Sequence, residues 1–61
     1  MRVTILKQRE NQFGYIEDID SFEFYVNNYI NEIEKSKNIL EVKFHINHNK
    51  IICTILYENL I

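Results

Sequence analysis

Two histidines three residues apart, in the stretch HINHNK at 45–50, are the first side chains here whose spacing suggests chemistry. A protein zinc site takes three or four ligands, so His45 and His48 need Cys, His or carboxylate groups converging on them. Cys53 is the only cysteine, and a strand through 51–57 puts it on the face opposite His45. Asparagines around the pair favour a turn instead, so no metal site is expected. Cys53 reads as a small core residue, because a nucleophilic thiol needs exposure and a neighbouring base. Glu17, Asp18, Asp20 and Glu23 lack the spacing and glycine of a calcium loop. Negative charge at a helix start accounts for them. Tyr15, Tyr25, Tyr29 and Tyr57 can stack on bases, but Tyr29 and Tyr57 fall at core positions. The sequence has no Gly-rich phosphate loop, triad pattern or paired-carboxylate motif. It reads as a non-enzyme with no cofactor.

The elements that position these residues follow from apolar periodicity. RVTILK (2–7) alternates as a strand, Val3 and Ile5 on one face and Thr4 and Leu6 on the other. QRENQ is a polar turn. FGYIEDI (13–19) reads as a short returning strand with Gly14 at a bend, or as an irregular crossing. Asp20 and Glu23 form a capping-box pattern. Phe22, Val26, Tyr29, Ile30 and Ile33 then make one stripe at helical period, giving a helix over about 21–37. Lys35 and Lys37 complement its C-terminal end, and a left-handed Asn38 closes it.

Two strands come next, ILEVKFHI (39–46) and IICTILY (51–57). Pairing Asn47 with Lys50 sets Ile46 opposite Ile51, Phe44 opposite Cys53 and Val42 opposite Ile55, so both apolar sets meet on one face. A slip of one residue sets Ile46 against Lys50 and Val42 against Thr54, which disperses them. The last strand is apolar on both faces, as a central strand requires, and its neighbour on one. The expected architecture is therefore α+β: one small split β-α-β domain over 1–61, ordered β-(β)-α-β-β. Its three- or four-stranded mixed sheet carries the helix on one face. The other face, with Leu6, Ile52 and Leu56 among Thr4, Thr54, Lys43 and His45, is too apolar for water and is expected to be covered by self-association. Protonation of His45 beside Lys43 is expected to weaken that assembly below about pH 6.

Composition narrows the class further. A chain of 61 residues with a lone cysteine cannot staple itself with a disulfide, which favours a homo-oligomer. A net charge of -2 without a basic stripe argues against general nucleic-acid binding. No run of about 18 apolar residues suggests a membrane span, and MRVTILKQRE becomes charged too soon for a secretory leader, so a cytoplasmic setting is expected. Ile occurs 11 times and Asn 8 times, while Ala and Pro are absent. That bias towards A- and T-rich codons points to a low-GC bacterium or its phages and plasmids.

The residues V-x-I (3–5), F-x-x-x-V-N-x-x-I (22–30), E-V-K-F-x-I (41–46) and T-I-x-Y (54–57) resemble a family of very short sporulation proteins from low-GC, spore-forming bacteria. The resemblance spans most of the chain outside 7–20 and brings no catalytic residues with it. It implies a small interaction protein.

Two functions remain open. In one, a non-enzymatic protein, preferably a homodimer, self-associates through Leu6, Ile52, Leu56, Thr54, Lys43 and His45 and binds a protein partner. In the other, a phage-type protein sequesters a host nucleotide signal, or inhibits a host defence or regulatory protein. Arg2, Tyr15, Lys43 and His45 would then contact phosphate and base.

Overall fold

The computed structural model describes residues 1–60. Strand β1 (Arg2–Lys7) leads through a long connection to helix α1 (Ile19–Glu34), and strands β2 (Lys37–Asn47) and β3 (Lys50–Asn59) follow as a hairpin. The sheet order is β1-β3-β2. The expected α+β split β-α-β arrangement is thus the observed one, with the last strand in the centre. The sheet is wholly antiparallel and not the expected mixed one: β1 and β2 run parallel to each other, but β3 lies between them and pairs antiparallel with each.

The β2–β3 register matches the expected pairing: Ile46 faces Ile51, Phe44 faces Cys53 and Val42 faces Ile55. His48 and Asn49 turn the hairpin with φ of 51° and 66°. Positive φ at both central residues is what a two-residue loop needs to match the strand twist, and Asn tolerates it well. A register shift between Ile39 and Glu41 leaves Leu40 as the extra residue of a bulge, which periodicity alone did not reveal.

The helix starts and stops earlier than the capping pattern suggested. Asp18, not Asp20, is the N-cap: its carboxylate accepts from the Ser21 N–H at 3.1 Å and the Ser21 hydroxyl at 2.7 Å. Ser21 gives Asp18 two bonds, so Asp20 moves into the first turn. At the other end, the Lys35 and Ser36 N–H groups bond to carbonyls three residues back, tightening the last turn. Lys35 is right-handed and the chain enters β2 at Lys37, so no left-handed Asn38 is required. Asn38 instead donates to Glu58 across the sheet at 3.2 Å.

No strand forms over 13–19; one isolated bridge joins Glu10 to Ile16. The connection folds on itself around Asn11, whose side-chain carbonyl accepts from the Phe13 and Tyr15 N–H groups. Gly14 takes a left-handed φ of 84°, which ends any extended run through it. Gln8 anchors the connection to β3. It is 7% exposed, donates to the Glu17 carbonyl at 2.8 Å and accepts from the Ile51 N–H at 2.6 Å.

The core lies between α1 and one sheet face. Phe22 and Val26 pack with Leu6, Cys53 and Ile55, and the Tyr29 hydroxyl donates to Thr4 Oγ1 at 3.2 Å. This corrects the face assigned to β1. Leu6 and Thr4 were expected on the open face, but the register sets Leu6 against Cys53 and Thr4 against Ile55, beneath the helix. Leu6 is 5% exposed and is a core residue, not a contact residue.

Candidate functional site

Side-chain alternation and the two registers define the face that α1 leaves bare. Three rows cross it: Val3–Leu56–Glu41, Ile5–Thr54–Lys43 and Lys7–Ile52–His45. The β1 and β3 columns are mainly apolar and the β2 column is polar. Val3 is 54% and Ile5 57% exposed, whereas Thr54 and Leu56 are half-buried. Ile52, flanked by Lys7 and His45, is already buried within its own chain. Lys43 Nζ lies 3.4 Å from Glu41 Oε1 along β2.

Of the expected contact residues, Ile52, Leu56, Thr54, Lys43 and His45 do share this face, and Leu6 does not. Val3 and Ile5 take its place. Nothing within β1 distinguishes the two parities, since both carry a large aliphatic residue; only pairing with β3 decides between them. The four expected ligand contacts do not converge. Lys43 and His45 are together, but Arg2 sits opposite Tyr57 on the other face at the far end of β1. Tyr15, 73% exposed, lies in the connection before the helix.

Two concavities lie outside this face. One, of about 410 Å³, is an open depression on the connection, lined by Arg9, Tyr15, Ile16 and Glu17. Its cation is already engaged: the Arg9 guanidinium pairs with the Glu17 carboxylate and stacks 4.4 Å from the Tyr25 ring centroid. The Arg9 bonds hold the Glu17 carboxyl below the usual carboxylate range, and the Ser21 bonds do the same for Asp18. The other, about 350 Å³, is a mainly apolar groove between α1 and the β2–β3 hairpin, lined by Ile19, Phe22, Val26, Phe44 and Ile51 together with Glu23 and Asn27.

Chemistry-bearing side chains are dispersed. Among the described residues, no three His, Cys, Asp or Glu groups come together to hold a metal ion. Cys53 is fully buried, and burial raises its thiol pKa, which disfavours the thiolate. His45 stands on the bare face and His48 in the turn. Among the described residues, no helix is long and apolar enough to cross a membrane. No family model, curated protein or solved structure matches the chain.

Proposed function

We propose that this chain is a non-enzymatic interaction protein that packs its bare sheet face against the same face of a second copy, and binds a protein partner as that homodimer. The observation that carries this reading is the exposure of Val3 and Ile5 in the β1 column, beside half-buried Leu56. Two sheets stacked about 10 Å apart interdigitate such residues and remove them from water. Glu41, Lys43 and His45 then form a polar rim, as interfaces commonly have. A source in a low-GC bacterium or its mobile elements agrees with the codon bias, and the likeness to short sporulation proteins rests on the residues quoted above.

Ile5→Glu tests the reading by light scattering. The position is exposed, so the monomer folds, and the mass is expected to halve. A wild-type protein that stays monomeric at high concentration, or a variant that keeps the wild-type mass, refutes it.

A second reading, sequestration of a nucleotide signal, has one observation in its favour. Lys7, Lys43 and His45 gather around Ile52 on the same face, and two copies would line a shared cleft with them. A melting shift with a nucleotide panel, lost in Lys43→Ala, would favour this reading over a pure interaction protein.

A further inference from the structure

Strand β2 is an edge strand. It pairs with β3 on one side, and among the described residues no strand pairs with the other side along Lys37–Asn47. Unpaired N–H and C=O groups on such an edge are a template for another strand. We propose that β2 pairs antiparallel with β2 of a second copy about a two-fold axis at Val42, joining two three-stranded sheets into one of six strands. The paired backbone edge differs from the bare face, although Glu41 and Lys43 stand at the rim of that face, and either contact can exist without the other.

The choice of occupant rests on charge complementarity. Residues directly opposite each other in an antiparallel pair project to the same face. A two-fold axis perpendicular to the sheet must therefore pass through a residue pair and not between pairs. Centred on Val42, the register sets Glu41 opposite Lys43 of the second copy and Lys43 opposite its Glu41. Each lysine already lies 3.4 Å from its own glutamate, so the four charges form a ring of alternating sign. Neighbouring registers lose this. Centring on Lys43 stacks two lysines, centring on Phe44 sets Lys43 against His45, and centring on Glu41 sets the glutamates together.

The other sheet edge offers no such match, because the charged residues of β1 are Arg2 and Lys7, both cationic. Leu40 and Phe44 flank the paired stretch and are 44% and 59% exposed, so pairing also shields apolar surface. The bulge at Leu40 interrupts the regular edge and limits the ladder to a short central segment.

Glu41 and Lys43 are both exposed, so charge reversal leaves the fold intact, which circular dichroism checks. By native mass spectrometry of the full chain, E41K and K43E are each expected to lose this pairing, weakened about tenfold or more by like charges set in register. An equimolar mixture of the two single variants recovers the pair as a heterodimer, because the lysine introduced by E41K faces the glutamate introduced by K43E, and native Glu41 faces native Lys43 across the axis. The double variant E41K/K43E recovers it as a homodimer.

V42C separates the edge contact from the face contact. Residues on the axis approach to about 4.5–5.5 Å between Cα atoms, within disulfide reach. Val42 is on the helix side of the sheet and cannot meet its counterpart across the bare face. Oxidised V42C is expected to run as a covalent dimer, with buried Cys53 taking no part. Single charge reversals that keep the wild-type mass, a mixture that does not recover it, or V42C that does not cross-link overturns the proposal. Loss of mass in Ile5→Glu alone concerns only the face contact.

Discussion

The two faces of β3 are nearly equal in apolar content and opposite in fate. On one, Cys53 and Ile55 are fully buried beneath Phe22 and Val26. On the other, Ile52, Thr54 and Leu56 depend on β1 and β2 side chains alone, and Val3 and Ile5 beside them stay more than half exposed. One helix of 16 residues can cover one face of a three-stranded sheet. The covered face secures the monomer, and the bare face is the one that the proposed homodimer would bury.

Substitution of Ile55 tests that division most severely. Ile55→Ala opens a cavity at the centre of the covered face, costing about 2–5 kcal/mol. A domain this size has on the order of 3–9 kcal/mol in total. Urea unfolding is expected to show a largely unfolded variant; a near-native midpoint would mean that the helix does not hold the core closed. Gln8→Ala ranks next. It orphans the Ile51 N–H and the Glu17 carbonyl together, for about 1–3 kcal/mol, and loosens the connection that delivers α1 to its face.

Acid acts on the same connection. Glu17 and Asp18 have folded pKa values below their unfolded ones. The stability they contribute is complete above about pH 5 and is lost as pH falls through the lowered values. The melting temperature is expected to drop below pH 4, and Glu17→Gln with Asp18→Asn should remove that part of the dependence. On the bare face the effect is smallest. Measured at concentrations too low for assembly, Ile5→Ala should shift unfolding by less than about 0.5 kcal/mol. Only at higher concentration should the wild type gain on the variant. A loss independent of concentration would place Ile5 in its own chain's packing and erase the contrast between faces.

Sequence pattern carried the hairpin because β2 from Glu41 to Ile46 is apolar on one parity only, so a single register joins Val42, Phe44 and Ile46 to the matching set on β3. The same reasoning failed for β1. With Val3 and Ile5 on one parity and Leu6 on the other, its orientation is set by a partner some fifty residues away, where Leu6 meets Cys53. The helix stripe was legible, but its start was not, because Asp18 and Asp20 are both competent caps and the Ser21 hydroxyl decides between them. Least legible was the connection at 8–18. Its shape comes from Gln8, Asn11 and the Arg9–Glu17 pair, polar side chains whose partners no hydrophobic period encodes. For the candidate site, the central-strand residues Ile52 and Leu56 could be read in advance, and Val3 and Ile5 could not.

The position of β3 in the chain also sets when folding can happen. During synthesis, β1 and α1 leave the ribosome first, yet the strand they both pack against is made after them. Neither the sheet nor the core can close until Lys50–Asn59 has emerged, so β1 and α1 wait unpacked until then. Ribosome-bound chains stalled before Lys50 should therefore be digested readily by protease, and those extended well beyond Asn59 should resist it.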